Sequence, residues 1–268
     1  MNIISQILYQ KRQKSTCALI PFVIAGYPSI NSTLKVLGVL DNAGADIIEL
    51  GIPYIDALAD GPMIQKASQV ALSQGISIND ILMMLNKATS IIKTPIIIFT
   101  YYNPILVRGI DSFIKDIHKN GAKGLIIPDL PLEEADYIIY LCKLYNLELI
   151  LFIAPTSSNT RIAKILSKSS ECIYLVSSTG VTGIRSNINI QLNNLSNYIK
   201  SKTNKSIIVG FGISNASQVS LLSQYNIDGL VIGSALIKIL SNFNIDFNYL
   251  DKLNDFCKDI KMAITIKK

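Results

Sequence analysis

Residues 94–100 read TPIIIFT, and the four apolar residues between the proline and the second threonine decide the fold. A strand with one wet face alternates apolar and polar residues, whereas a strand covered on both faces is apolar throughout. The run is also too short for a buried helix. Runs of the same kind recur at ALIPFVIA (18–25), DIIEL (46–50), KGLIIPDL (123–130), LELILFIA (147–154), CIYLVSS (172–178), KSIIVGF (205–211) and IDGLVIGS (227–234). Stretches with helical spacing lie between them, such as LEEADYIIYLCKLYN (132–146) and ASQVSLLSQYN (216–226).

Eight strand–helix units in 268 residues predict an α/β fold, a (β/α)8 TIM barrel, which ordinarily takes about 250 residues. A doubly wound open sheet is the alternative. Two pieces exceed a minimal barrel: an extra N-terminal helix around residues 2–13 and an inserted segment after strand 2 that carries two helical stretches. No Ser/Gly/Pro-rich linker divides the chain, so residues 1–268 are expected to form a single TIM-barrel domain.

Composition narrows the function. Hydrophobic residues make up 49% of the chain and charged ones 16%, which supports a large core rather than disorder. The formal net charge of +6 is spread over scattered lysines, with clusters only at KRQK (11–14) and at the final KK. That pattern lacks the basic and aromatic stripe of a nucleic-acid binder and suits mild attraction of an anionic metabolite. No apolar run reaches the roughly 18 residues of a membrane span. The opening MNIISQILYQKRQK carries its charges after its apolar part, the reverse of a secretory signal. Cys17, Cys142, Cys172 and Cys257 lie far apart without a C-x-x-C pair. They read as reduced, buried thiols of a cytoplasmic protein, with no disulfide frame and no metal site. His118, the one histidine, falls in FIKDIHKN and reads as a surface helix residue. Acid–base chemistry is left to carboxylates, tyrosines or lysines.

A barrel of this kind builds its site where strands end and loops begin. Those positions hold Glu49, Tyr101, Asp129, Tyr174, Phe211, Gly212, Gly233 and Ser234. The stretch ELGIPYIDALADGP (49–62) ends a strand on one carboxylate and sets a second, Asp60, in the following loop. Taken singly, Glu49 also fits a salt bridge at the rim, and Asp60 a helix N-cap ahead of Gly-Pro. Glycine turns follow strands six, seven and eight at STGVTG (178–183), GFGIS (210–214) and IGSA (232–235). Glycine lets backbone N–H groups approach an anion, and a helix beginning at Ser214 or Ser234 adds its positive end. Each turn alone is also explained as a tight corner; three at consecutive strand ends point to a phosphate. The last two turns hold no Lys or Arg, so backbone donors must supply the grip.

With PFVIAGYP (21–28), TYYNP (100–104), LIIPDLPLEE (125–134) and YLVSSTGVTG (174–183) added to these motifs, the chain resembles the α subunit of tryptophan synthase from end to end. The resemblance implies a (β/α)8 lyase that cleaves indole-3-glycerol phosphate to indole and D-glyceraldehyde 3-phosphate in L-tryptophan biosynthesis. It implies an α2β2 tetramer in which indole passes to a β subunit carrying pyridoxal phosphate, with no cofactor in this chain. Glu49 and Asp60 match the family's catalytic carboxylates. Phe22 and Tyr101 match residues lining the indole pocket, and Tyr174 the tyrosine near the catalytic glutamate. Thr182 matches the mobile-loop threonine that meets the aspartate on closure. Gly183, Phe211, Gly212, Gly233 and Ser234 match the phosphate end. Ile24 and Ile55 stand where the family has Thr and Ser or Thr, and Ala57 where Pro is commonest. Without that hydroxyl and proline the loop after strand two is expected to be looser and more dependent on the partner.

The chemistry asks for two groups. One shuttles protons at indole C3 and at the side-chain hydroxyl; the other holds the indole N–H and stabilises the charge that develops. Glu49, among apolar neighbours, is expected to have a raised pKa, and Asp60, on a polar loop, to stay ionised. Two further readings stand beside this one: another phosphate-barrel enzyme such as a sugar-phosphate isomerase, against which the lack of strand-end His and Lys counts, and a non-catalytic subunit that only activates a partner.

Overall fold

The computed structural model describes residues 1–176, 185–210, 212–243, 245 and 247–264. Eight strands form a closed parallel barrel in chain order: β1 (Ala18–Ile24), β2 (Ile48–Gly51), β3 (Ile96–Phe99), β4 (Gly124–Ile126), β5 (Glu148–Ile153), β6 (Cys172–Val176), β7 (Ser206–Gly210) and β8 (Gly229–Ile232). β1 closes the ring against β8, with Ala18 opposite Gly229 and Pro21 opposite Ile232. Closure excludes the open doubly wound sheet. Nearly every strand residue is buried, as the non-alternating runs require of a sheet packed on both faces.

The helices are α1 (Ile3–Gln13), α2 (Ile30–Asn42), α3 (Pro62–Ser73), α4 (Ile78–Ile91), α5 (Tyr102–Arg108), α6 (Ile110–Lys119), α7 (Ala135–Leu144), α8 (Asn159–Lys168), α9 (Arg185–Lys202), α10 (Ala216–Leu222), α11 (Ser234–Leu240) and α12 (Tyr249–Ala263). Their starts follow local chemistry. Ser29, Ser77 and Ser158 cap α2, α4 and α8 by accepting a backbone N–H, and Ser77 with Asp80 completes a capping box. Pro62 occupies the first turn of α3, where its missing N–H is not needed. The segment after β2 holds α3 and α4, and α1 is the expected extra N-terminal helix. The seventh helix of the barrel layer begins at Ala216 rather than Ser214. Asn215 is its cap, accepting the Gln218 N–H at 2.9 Å, and Ser214 lies in the turn before it.

α1 sits at the N-terminal end of the barrel through buried polar contacts. Glu148, at the start of β5 and fully buried, accepts from Asn2 Nδ2 (2.6 Å), Ser5 Oγ (2.9 Å) and the backbone N–H groups of Glu171 and Cys172 (2.9 and 3.1 Å). Asp228, just before β8, takes both Arg12 Nε and Nη2 (2.8 and 2.9 Å), Lys200 Nζ (2.6 Å) and the Ile207 N–H (2.8 Å). Burial pushes the Asp228 carboxyl up, but Arg12 and Lys200 overcome it and hold the group below the usual carboxylate range.

All four cysteines are buried thiols. His118 is exposed on α6, its ring 5.3 Å from that of Tyr145. Among the described residues no helix is long and apolar enough to cross a membrane.

Candidate active site

Glu49 lies in β2 opposite Phe22 of β1 and Ile97 of β3. The apolar run that makes β2 a strand also strips its carboxyl of water: Glu49 is 1% exposed, and its Oε2 has no hydrogen-bond partner among the described residues. Burial first, and the negative charge of Asp60 second, push its pKa up to about 8. No rim salt bridge involves Glu49 among the described residues.

Asp60 sits at the end of the 52–60 loop. Gly61, not Asp60, is the N-cap of α3, and that cap makes no side-chain hydrogen bond. The Asp60 carboxylate instead accepts from the Tyr101 hydroxyl at 3.1 Å. Burial raises its pKa to about 6 and the Tyr101 hydrogen bond opposes the rise. At neutral pH the group is still ionised, though less firmly than a polar loop implies, because the carboxyl meets Tyr101 and is largely out of water. Tyr174, in β6, is buried, and its phenol is pushed well above its ordinary pKa by burial and then by the charges of Glu49 and Asp60. Residues from β2, the following loop and β6 therefore converge on one electrostatic environment.

An aromatic wall surrounds them. Phe22 and Phe99 meet edge to face at 5.5 Å, and Phe99 meets Tyr101 likewise at 6.2 Å. Glycine makes room for Phe22 on two sides. A methyl at Gly51 would come within 2.9 Å of its ring, and one at Gly233 within 3.0 Å. Gly233 thus presses the start of α11, at Ser234, against the aromatic wall. Gly212 follows β7 with φ of +78°, a left-handed conformation that glycine adopts freely. Thr182, Gly183 and Phe211 lie outside the described residues. Asp129 is an exposed strand-end residue whose carboxylate accepts the Tyr102 N–H at 2.8 Å and so caps α5 from a neighbouring loop.

The sequence reading passed over several contributors. Gly210 is required because any side chain there overlaps the Tyr174 phenol; the GFG pattern carried the signal. Gln65 of α3 reaches back to the Ala57 and Asp60 carbonyls at 3.1 and 3.0 Å. Tyr54 rests its ring on Tyr101, with centroids 5.3 Å apart, and its hydroxyl accepts from Asn103 Nδ2 at 3.2 Å. Ala57 is buried, whereas Ile55 is 69% exposed and Leu58 90%. Among the described residues no three His, Cys, Asp or Glu side chains stand together as a metal cluster would.

A family model described as tryptophan synthase alpha chain matches residues 8–265. The tryptophan synthase alpha chain of Gracilaria tenuistipitata var. liui is 58% identical over 264 residues, covering 98% of this chain and 97% of that one. The protein of the same name from Microcystis aeruginosa is 44% identical, covering 98% and 100%. Among solved structures, tryptophan synthase subunit alpha from Legionella pneumophila superposes with a TM-score of 0.89 at 30% identity, covering 98% of each chain. An aminoacrylate-bound tryptophan synthase from M. tuberculosis superposes with a TM-score of 0.88 at 28% identity, covering 99% and 100%.

Proposed function

The chain belongs to the tryptophan synthase alpha chain family, and on that premise we propose that Glu49 and Asp60 perform the family's cleavage at the mouth of the barrel. The protein is the lyase subunit that splits indole-3-glycerol phosphate, and it partners a β subunit. One observation carries the assignment of roles: a fully buried carboxyl with an oxygen unpartnered among the described residues and a pKa raised to about 8, beside a second carboxylate whose pKa stays lower.

Such a pair divides acid–base labour. Near neutral pH Glu49 is protonated, and it gives its proton to indole C3. The ring loses aromaticity and positive charge develops at N1. Asp60, ionised, accepts the N1–H and stabilises that charge; in a site shielded from water the attraction is much stronger than in bulk. Glu49, now a carboxylate, takes the proton from the hydroxyl on the carbon attached to C3. The bond between that carbon and C3 breaks, its electron pair restores the indole, and the new carbonyl leaves as glyceraldehyde 3-phosphate. Glu49 ends protonated, as it began. Phe22 and Tyr101 give the indole apolar and aromatic faces, and Tyr174 closes the site beside Glu49. Gly212, Gly233 and Ser234 offer backbone N–H groups to the phosphate, with Gly183 and Phe211 completing that end and Thr182 meeting Asp60 on closure.

One barrel domain over residues 1–268 carries this chemistry without a cofactor of its own. The partner supplies pyridoxal phosphate, the assembly is an α2β2 tetramer to which indole is handed on, and the setting is the cytoplasm. The test is turnover of indole-3-glycerol phosphate by the isolated chain and by Glu49→Gln. Cleavage by the first and not the second supports the reading; turnover by neither, with the partner present, favours a non-catalytic activating subunit and overturns it.

A further inference from the structure

Tyr101 touches more than the indole wall. It follows β3 by two residues, is 3% exposed, and occupies the N-cap position of α5, whose first N–H is fixed by Asp129. Phe99 and Tyr54 hold its ring from two sides. From this fixed ring the hydroxyl accepts the Ala59 N–H at 3.0 Å and donates to Asp60 Oδ2 at 3.1 Å. The side chain therefore bears on both ends of the loop after β2, with Tyr54 packed at a tilt near its beginning and Ala59 and Asp60 bonded at its end.

We propose that Tyr101 is the positioning residue for Asp60, its hydroxyl setting where the carboxylate stands and how firmly the loop is closed. This rests on the reading of Asp60 as the carboxylate that meets the indole N–H. A phenol suits the task because it donates and accepts from one atom on a rigid arm that packing orients. Gln65 supports the same segment from α3 through two carbonyls, so the loop is tied within this chain, without a partner and without the hydroxyl and proline missing at Ile55 and Ala57. Among the described residues the groups facing Asp60 are Tyr101 from the β3–α5 turn, Glu49 from β2 and Tyr174 from β6, and Asp129 acts on Tyr101 in turn. Of these, only the Tyr101 hydroxyl lowers the Asp60 pKa.

The experiment is Tyr101→Phe, which keeps the ring and removes the hydroxyl, in the full chain alone and with its β partner. Three readouts are taken: the kcat and KM profile against pH, the Kd of indole, and hydrogen exchange at the Ala59 amide. The expected result is a kcat lower by roughly tenfold to a hundredfold, the scale of an ~1 Å misplacement, with KM and the indole Kd changed less than about twofold. The acidic limb of kcat moves to higher pH and the Ala59 amide exchanges at least about tenfold faster. A raised KM and indole Kd with kcat, acidic limb and exchange unchanged overturns the proposal and leaves Tyr101 a pocket wall. No change in any readout overturns it as well. The exchange readout needs no turnover, so it decides the loop contact even if the variant is inactive or the wild-type chain fails to cleave. The latter failure would count against the proposed function alone.

Discussion

Among the described residues, Glu148 at the N-terminal end of the barrel is fully buried and its two carboxyl oxygens accept four hydrogen bonds, while at the opposite end Glu49 is 1% exposed and its Oε2 accepts none. The second carboxylates differ in the same way. Asp228 is held below the usual range by Arg12 and Lys200, whereas Asp60 has a single phenol among the described residues and is pushed up to about 6. Burial alone does not separate the two ends; the supply of donors does. A satisfied buried carboxylate fastens α1 to the barrel, and an unsatisfied one is held in a state that a substrate can relieve.

The largest effect comes from breaking the mouth. Glu49→Gln is expected to lower turnover by roughly 10²- to 10⁴-fold, the span of a general acid–base group, while urea unfolding shows no loss of stability. The sign follows from the pKa. A carboxyl raised to about 8 contributes stability that is present at low pH and lost as pH rises from the ordinary carboxylate range through about 8. The Gln variant should therefore gain on wild type across that interval; a variant less stable at pH 8 would show that Glu49 is structural.

Gly210→Ala is next. Its methyl displaces the Tyr174 phenol that shares the field of both carboxylates, and turnover is expected to fall by about a hundredfold with the β partner still bound in a pull-down. Full activity would mean that Tyr174 is filler.

At the other end Arg12→Met removes two hydrogen bonds to a buried carboxylate, at a cost of about 2 kcal/mol in unfolding free energy. Turnover of the folded protein stays unchanged. Asp228 is depressed in the fold, so its contribution is present above the ordinary carboxylate range and is lost as pH falls through its folded value. The deficit of the variant is thus full at pH 7 and shrinks in acid. Lost turnover without lost stability would erase the contrast between the ends.

The mildest probe is pH itself. Cleavage needs Asp60 ionised and Glu49 protonated at the start, so kcat/KM of the wild type is expected to fall below about 6 and above about 8. Asp60→Asn should lose the acidic limb and move the alkaline limb down, since a charge that raised Glu49 is gone; an alkaline limb that stays in place would show the two groups to be independent.

The strands were legible because residues buried on both faces leave an unbroken apolar run, and TPIIIFT reads as plainly as the β3 it forms. The start of α10 was misplaced by two residues because Ser214 and Asn215 are both good caps and only the fold decides between them. At the site, Glu49 and Asp60 were visible as a carboxylate ending a strand and another in its loop. Glu148 and Asp228 sit in equally apolar runs, yet their partners Asn2 and Arg12 lie 146 and 216 positions away in the chain, so nothing local marks them as satisfied. The Tyr101 tie on the loop was hidden for the same reason. Tyr101 meets Asp60 across 41 positions; Gln65 is nearer, 8 and 5 positions from Ala57 and Asp60, but a glutamine in a helix gives no local sign of the carbonyls it reaches.

The most direct test is a ¹³C titration of the Glu49 carboxyl in the intact chain. A carboxyl kept protonatable by desolvation and by its neighbour titrates near 8 and moves downward in Asp60→Asn; titration in the ordinary carboxylate range, or a value indifferent to Asp60, contradicts the account.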